Sequence, residues 1–343
     1  MNADLPLTTK GKPMEPYQAD WTLFNTWFEK NFSRKIKTSK PNIGENRPLL
    51  NAPNANGQLP LHIAALEGNT AVAKVLLYLG ADSQLENKQK QHPLFSTLVI
   101  PMQYSPEFIS NKIKLFQLLL QQEKNIAHQD KSGNTILHQM VSHTFDTEEE
   151  NNEFSKLMSH FLEVYPDLAN IANNAHSYPI HTAILNAPVE RIWLLLELKG
   201  SSELTDSKGQ NALHYACLYG DREMIEACCA KTKDINKTDK EERTPLMFLA
   251  QRGLLQEIQH LIKCGAQTNL SDRNGHTVLH YAVQSASLDL VSWLVDEQKI
   301  EVNPDTSSGQ TPLDLVDPEN NKELYDFLLD KGAHPARSSP TYP

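Results

Sequence analysis

The feature that most constrains this chain is a unit of about 33 residues that recurs along most of its length. Its clearest copy runs from Leu204 to Ala230. Gly209 of that copy recurs as Gly275 and Gly309, at separations of 66 and 34 residues. A period of this size, with a turn and two short helical patterns in each unit, is typical of a solenoid of helix pairs. The sequence therefore predicts a protein whose core grows by stacking similar units.

Other copies depart from this glycine pattern. Glu242 stands at the glycine position of the copy between Gly209 and Gly275. The upstream copies centre on Gly57, Gln91, Gly133 and Ser177. The copy near Gln91 is degenerate. Together the copies predict about eight helix pairs.

Each copy contains the signals that begin short helices. Asp206 and Gly209 favour a turn, because Asp bonds to its own backbone and Gly accepts a positive φ. In the copies with Thr244 and Thr311, the Thr is an N-cap and the Pro that follows needs no backbone donor. A hairpin tip followed by a capped helix is therefore predicted in each unit.

The apolar residues of the clearest copy follow a helical period. Leu213, Ala216 and Cys217 fall on one face of the first helix, where the small Ala lets neighbouring helices approach closely. The second helix carries an apolar stripe formed by Met224, Ile225, Cys228 and Cys229. We expect both faces in the core.

These copies resemble ankyrin repeats over roughly residues 50–335. The matching segments are GQLPLHIAALEGNTAVAKVLLYLGAD from Gly57, GNTILHQM from Gly133, GQNALHYACLYGD from Gly209, RTPLMFLAQRG from Arg243, LIKCGAQTN from Leu261, GHTVLHYAV from Gly275 and GQTPLDLV from Gly309. The resemblance implies an all-α ankyrin-repeat solenoid of about eight helix-pair units with short hairpin loops. The second and third repeats are irregular. The resemblance also implies protein binding through hairpin tips and inner helices, and it does not imply an enzyme.

Five segments are predicted along the chain. They are a flexible arm (1–18), an aromatic N-terminal capping helix (19–37), a linker (38–49), the ankyrin-repeat solenoid (50–335) and a disordered tail (336–343). One face of the capping helix carries Trp21, Phe24, Phe28 and Phe32, and it is expected to cover the open end of the first repeat. Basic residues near its end favour an alternative, a helix that binds a partner or a membrane surface.

Two insertions interrupt the second and third repeats. They are Ile100–Pro106 and Phe145–Glu150, and both fall between the two helices of a unit. Because repeats stack in register, we expect the two inserted loops to lie side by side. The second helix of the second repeat is predicted at Ile113–Gln121. The acidic run at the end of the second insertion suits a helix N-terminus, where the dipole favours negative charge.

Composition limits the classes of partner and compartment. The formal net charge of −10 argues against nucleic-acid binding, which favours a basic surface. The four cysteines lack paired metal or disulfide spacing, so a reducing compartment is expected. The first residues lack the apolar core of a signal peptide, and no apolar run approaches the length that spans a bilayer, so we expect neither a signal peptide nor a membrane span. We expect a cytoplasmic monomer without a membrane span.

The sequence predicts no catalytic, cofactor or metal site. Five histidines share one repeat position, where the resemblance implies bonds that tie neighbouring loops together: His62, His138, His181, His214 and His280. The other histidines do not form an H-E-x-x-H pattern, and the glycines form no phosphate-binding loop. The adjacent Cys228 and Cys229 are expected to pack in the core rather than to act as a redox pair.

The resemblance assigns partner binding to the central repeats. The expected contacts at hairpin tips are Ser207, Lys208, Gln210, Lys240, Glu241, Arg243, Arg273, Asn274 and His276. Those at the ends of the first helices are Leu218, Tyr219, Gln251, Arg252, Gln284 and Ser285. Five of these residues are basic and suggest a partner with an acidic surface, while Tyr219 and Leu218 are of the type found at the centre of interfaces.

The sequence therefore predicts a non-catalytic scaffold that binds a partner protein through its concave face. Two alternatives remain open: an enzyme or modifier whose activity lies in the insertions, and a regulatory subunit of an enzyme. The Lys-, Asn- and Gln-rich composition and irregular repeats resemble ankyrin proteins that intracellular bacteria deliver into host cells as effectors, which would place this chain in a host cytoplasm.

Asn269 is a candidate modification site. Ankyrin repeats that this one resembles can be hydroxylated at the hairpin Asn by an asparaginyl hydroxylase when a Leu lies eight residues upstream, and Leu261 has that spacing. The alternative is that Asn269 simply forms a tight turn, because Asn tolerates left-handed geometry and bonds to its own backbone.

Overall fold

The computed structural model describes residues 50–336, apart from residues 102, 103, 105, 144 and 146. The predicted arm, aromatic capping helix and linker, and the tail beyond residue 336, lie outside the described residues. Nearly all regular structure within the described residues is helical, and a single isolated β-bridge joins Ser271 and Thr277. The predicted all-α fold is confirmed.

Fifteen α-helices occur in the described residues. They are α1 (Pro60–Leu66), α2 (Thr70–Leu79), α3 (Pro93–Ser96), α4 (Pro106–Leu120), α5 (Ile136–Val141), α6 (Glu148–Val164), α7 (Pro179–Asn186), α8 (Val189–Glu197), α9 (Ala212–Tyr219), α10 (Arg222–Lys231), α11 (Pro245–Arg252), α12 (Leu255–Lys263), α13 (Val278–Gln284), α14 (Leu288–Asp296) and α15 (Lys322–Asp330). Two 3₁₀ helices span Pro166–Asn170 and Pro312–Leu315. No helix of this set has the length and apolar character that crossing a membrane requires.

The chain divides into two compact units, with the boundary between Phe161 and Leu162 inside α6. In the first unit, α1 packs on α3 and α2 packs on α4. In the second unit, the first helices α7, α9, α11 and α13 pack in succession, and α8, α10 and α12 follow one another in the same way. Leu213, Ala216 and Cys217 are fully buried in this second stack, as their helical spacing predicts.

The hairpins share one side-chain device. In each, an Asn, Asp or Thr accepts a hydrogen bond from the backbone N–H four residues later, which closes the turn. These acceptors are Asn54, Asn87, Asp130, Asn173, Asp206, Asp239, Asp272 and Thr306. Eight such turns within the described residues agree with the predicted number of repeats.

The third position after each acceptor adopts a left-handed backbone. Glycine occupies it in five hairpins, and Lys90, His176 and Glu242 occupy it in the other three. The second and fourth copies therefore centre on Lys90 and His176, and the prediction of Gln91 and Ser177 was wrong by one residue. The turn acceptors Asn87 and Asn173 determine where each hairpin turn lies, and the residue with the left-handed backbone follows each of them by three positions.

Glu242→Gly is expected to stabilise the protein by about 0.5–1 kcal/mol. A left-handed conformation costs a non-glycine residue about 1–2 kcal/mol, which exceeds the entropy that glycine loses on folding. The exposed contact of Glu242 with Arg273, at 3.8 Å, contributes little. Urea unfolding measures the change. Glu241→Gly is the matched control, because residue 241 has no positive φ. An unchanged or lower midpoint for Glu242→Gly would contradict the prediction.

The inserted segments differ in part from the predicted pattern. Helix α4 begins at Pro106, seven residues before the predicted start at Ile113, since Pro suits the first position of a helix. The acidic run forms the first turn of α6, where Thr147 caps the backbone N–H of Glu150 at 3.2 Å. The hydroxyl of Tyr104 donates to the Glu150 carboxylate at 3.2 Å, so the two insertions are neighbours as predicted.

Candidate functional site

Histidines at the shared repeat position connect adjacent repeats. Nδ1 of His62 accepts the backbone N–H of Leu59 at 3.4 Å, and Nε2 donates to the Gln91 carbonyl at 2.8 Å. His214 makes the same two bonds with Asn211 (3.3 Å) and Arg243 (3.2 Å). His280 repeats the pattern with Thr277 and Gln310. The structural role implied for these three histidines is confirmed.

Their environment keeps these rings neutral. Burial lowers the pKa of His62 and of His214 to about 4, although the bond to a backbone carbonyl acts in the opposite direction. Burial also lowers the pKa of His280. Both ring nitrogens are occupied by backbone groups, so the rings stabilise the fold and offer no free base for proton transfer.

Two repeats satisfy the same backbone N–H with another side chain. In the repeat that begins at Thr244, the backbone N–H of Thr244 donates to Sδ of Met247 at 3.4 Å. In the last repeat, the backbone N–H of Thr311 donates to the Asp314 carboxylate at 2.8 Å. The position therefore requires an acceptor, and histidine adds the donor that reaches the next repeat.

Lys112 carries a buried amine in the first unit, which makes it a candidate for a catalytic group. Its Nζ donates to the carbonyls of Ala65 (2.9 Å) and Ser96 (3.0 Å), and it lies 5.2 Å from the Phe108 ring. Burial lowers its pKa to about 7. Because the amine is bonded to two carbonyls and almost inaccessible to solvent, it links α4 to the ends of two neighbouring first helices.

The hairpin tips of the central repeats lie next to one another. The backbone N–H of Lys240 donates to the Lys208 carbonyl at 2.9 Å, and that of Arg273 donates to the Glu241 carbonyl at 2.9 Å. Six of the predicted tip contacts are exposed: Ser207, Lys208, Lys240, Glu241, Arg273 and Asn274. Successive tips thus present their side chains on one continuous edge of the second unit.

Three of the five basic residues predicted to contact the partner are arginines, and all three are engaged within the protein. Arg243 binds the Asp239 carboxylate through Nε (3.0 Å) and Nη2 (2.8 Å). Arg252 donates to the carbonyls of Cys217 and Gly220, both at 2.9 Å. Arg273 lies between the carboxylates of Glu241 and Glu242, at 3.7 and 3.8 Å. Lys208 and Lys240, by contrast, are exposed and form no ion pair with the described residues.

Other predicted contacts differ in exposure. Gln210 is buried, and its amide donates to the Asp239 carboxylate at 3.1 Å. It is therefore not part of the exposed surface of the hairpin tips. His276 and Ser285 are half-buried and bonded to Asp272 and to the Ala282 carbonyl. The remaining residues at helix ends, Gln251 and Gln284, are exposed.

The inner-helix patch is a group of large side chains on α7 and α9, of which Leu185 and Tyr219 are exposed and Tyr215 and Leu218 are half-buried. Tyr219 is 55% exposed and Leu185 is 48% exposed, and the Tyr215 and Tyr219 rings lie 5.8 Å apart. Sequence reasoning missed Leu185. Alignment of the fourth repeat on the fifth through His181 and His214 would have found it, because Leu185 and Leu218 each follow the histidine by four residues.

Asn269 is exposed and makes no side-chain hydrogen bond with the described residues. Its counterparts differ, since Asn236 donates to the Gly265 carbonyl (3.1 Å) and Asn303 to the Gly332 carbonyl (2.9 Å). Leu261 is fully buried. An enzyme that must contact both Leu261 and Asn269 would therefore require local unfolding, and modification of Asn269 stays a prediction.

Comparison with known proteins agrees with this geometry. The family model described as "Ankyrin repeats (3 copies)" matches residues 149–239, 219–305 and 246–339, and the model "Ankyrin repeat" matches residues 56–88. The nuclear factor NF-kappa-B p105 subunit of Gallus gallus is 26% identical over 227 residues, which cover 64% of this chain and 22% of that protein. The ANK repeat-containing protein nipk-1 of Caenorhabditis elegans is 29% identical over 256 residues, which cover 63% and 40%. The chain spans less than half of either relative. Because the family models together match more than half of its residues, this chain belongs to the ankyrin-repeat family.

Proposed function

We propose that this chain is a non-catalytic scaffold that binds a partner protein through the inner-helix patch and the hairpin tips beside it. The exposure of Tyr219 and Leu185 carries the proposal. Large apolar side chains that are exposed together on one surface are typical of a site that a partner protein covers. Ankyrin repeats generally bind proteins, which supports the same assignment.

The charges around the patch favour a partner with an acidic region. Lys208 and Lys240 lie on adjacent tips, and their amines are exposed. Arg243 and Arg252 add little free charge, since their guanidinium groups are bonded to a carboxylate and to carbonyls of the same chain. We therefore propose that the two lysines speed association with the partner and that the inner-helix patch supplies most of the free energy of binding.

Tyr219→Ala is expected to weaken partner binding by about 2 kcal/mol, roughly thirtyfold in Kd, since a buried tyrosine at the centre of an interface is a typical hot spot. The partner is first captured from lysate and identified by mass spectrometry, and its affinity for purified variants is then measured by calorimetry. Association rates are measured separately by surface plasmon resonance. Replacing Lys208 and Lys240 by Glu should slow association at low salt, while wild-type association should slow as salt rises.

The matched control for the aromatic change is Tyr78→Ala. Tyr78 is 62% exposed but lies on the second helix α2, outside the proposed surface. For the charge change the controls are Lys74→Glu and Lys233→Glu, which alter exposed lysines away from the tips. If Tyr219→Ala binds the captured protein as tightly as Tyr78→Ala does, the inner-helix patch is not the binding site.

We also propose a cytoplasmic location. All four cysteines are free thiols, which suits a reducing compartment. The composition and repeat irregularity described above support the narrower hypothesis of an effector delivered by an intracellular bacterium into a host cytoplasm. Fractionation of infected cells that carry the tagged protein would test delivery, and tag signal confined to the bacteria would contradict it.

A further inference from the structure

Three metal-binding side chains converge on the second helices of two successive repeats. Cys229 lies near the end of α10, His260 lies in α12, and Cys264 follows α12 immediately. A donor atom from each of them lies within 4.8 Å of the other two. Sγ of Cys264 is 3.6 Å from Nε2 of His260. Cys229 is buried, whereas Cys264 is exposed.

One of these separations matches an edge of a tetrahedral zinc site, and the others lie within about 1 Å of one. With Zn–S bonds of about 2.3 Å and Zn–N bonds of about 2.0 Å, a tetrahedron places sulfur and nitrogen about 3.5 Å apart and two sulfurs about 3.8 Å apart. The distance of 3.6 Å between Sγ of Cys264 and Nε2 of His260 already lies close to the sulfur–nitrogen value. Side-chain rotations that close the remaining gaps by roughly 1 Å would complete three corners.

The donor set selects the metal. Two thiols and an imidazole are the ligands that Zn²⁺ prefers, and they disfavour Mg²⁺ and Ca²⁺, which take oxygen ligands. Among the described residues, none of these three donor atoms is hydrogen bonded to a backbone carbonyl, and the Cys264 thiol contacts the His260 ring. The location is also accessible, because Cys264 is exposed and His260 faces a solvent-open groove with Gln256, Gln259 and Lys263.

A second group of potential ligands does not share these properties. Glu86, His92 and His128 also lie close together. Nδ1 of His92 is 3.1 Å from the Glu123 carboxylate, and Nε2 of His128 is 2.6 Å from the Lys90 carbonyl. The His92 and His128 rings stack at 3.7 Å. The side chains of this group are held by the fold, so it is not a metal site of comparable quality.

We propose that Cys229, His260 and Cys264 bind one Zn²⁺ ion, with water in the fourth position. Binding forms two Zn–S bonds and one Zn–N bond, and the two thiols release their protons to solvent. The ion connects α10 to α12 and thereby fastens two successive repeats. An open fourth position facing solvent could also accept a ligand from a partner.

This cluster was missed in the sequence because its parts are far apart. His260 and Cys264 have the i, i+4 spacing that places two side chains on one helical face. Cys229 lies 31 residues before His260, close to one repeat length. Only stacking of the repeats brings the third ligand to the other two, so a search for short motifs could not find it.

The test uses the reduced full-length protein after treatment with a chelator. Titration with Co²⁺ is expected to give a thiolate-to-cobalt charge-transfer band and tetrahedral d–d bands that saturate at one ion per chain. Addition of Zn²⁺ should abolish both bands and raise the Tm. Cys264→Ser, at an exposed position, should lower the Co²⁺ affinity at least tenfold and remove the Tm increase, and His260→Gln should also weaken binding.

Cys228→Ala is the matched control, since it removes a neighbouring thiol that points into the core and lies outside the cluster. It should retain the cobalt spectrum and the zinc-dependent increase in Tm. Absence of the charge-transfer band in the wild-type protein would overturn the proposal. So would a spectrum that Cys264→Ser leaves unchanged, because the thiolate ligands would then lie elsewhere.

Discussion

Leu213→Asp is expected to unfold the repeats around α9 while distant repeats stay folded. Leu213 is fully buried, so the substitution removes packed apolar atoms and places a carboxyl group in the core without a partner. Loss of a buried leucine costs about 2–5 kcal/mol, and burial of an unpaired polar group adds several more. In a repeat protein each unit contacts only its neighbours, so the damage should remain local.

Thermal unfolding should change from one main transition to several, and hydrogen exchange should locate the loss. We expect amides of α9, α10 and α11 to lose protection, whereas those of α1 and α2 in the first unit should keep it. Leu185→Asp is the matched control, because Leu185 lies on the first helix of the preceding repeat but is 48% exposed. A wild-type melting curve for Leu213→Asp would show that this position is not in the core.

Lowering the pH from 6.5 to 5 is expected to destabilise both units. The folded state holds the pKa of His62 and of His214 at about 4, below the value of 6.5 for a free histidine. Between these values the unfolded chain binds more protons than the folded chain, so the free energy of unfolding rises with pH. Each of these histidines should cost about 2 kcal/mol at pH 5 and about 3 kcal/mol near pH 4.

Urea unfolding at several pH values between 5 and 7 measures this dependence. In this pH range the change in stability comes mainly from histidines. The ordinary pKa of Asp is 3.8, so its titration contributes mainly at lower pH. His214→Met, which copies the residue found at the equivalent position 247, should reduce the pH slope of the second unit by about one proton. The first unit, which keeps His62, is the internal control. An unchanged slope in the second unit would contradict the assignment.

Local signals in the sequence sufficed for the repeat fold. An Asn, Asp or Thr that closes a turn, a left-handed position three residues later and a capped helix are all encoded within a few residues, so they can be read without knowledge of distant contacts. The positions of Gln91 and Ser177 were wrong by one residue because the left-handed position there is occupied by Lys90 and His176 rather than by glycine. The start of α4 was wrong because Pro106 begins a helix that the apolar pattern alone places later.

The sequence by itself therefore determined the fold family, the approximate number of repeats, the core face of α9 and three histidines that link repeats. Only the tertiary structure decided which polar side chains remain available. Arg243 and Arg252 are bonded within the chain, Gln210 is buried beneath the neighbouring hairpin, and Cys229 meets His260 and Cys264 across two repeats. Apart from the local pair of Arg243 and Asp239, these contacts join residues about one repeat apart. Their geometry depends on how the repeats stack, which no short segment of sequence contains.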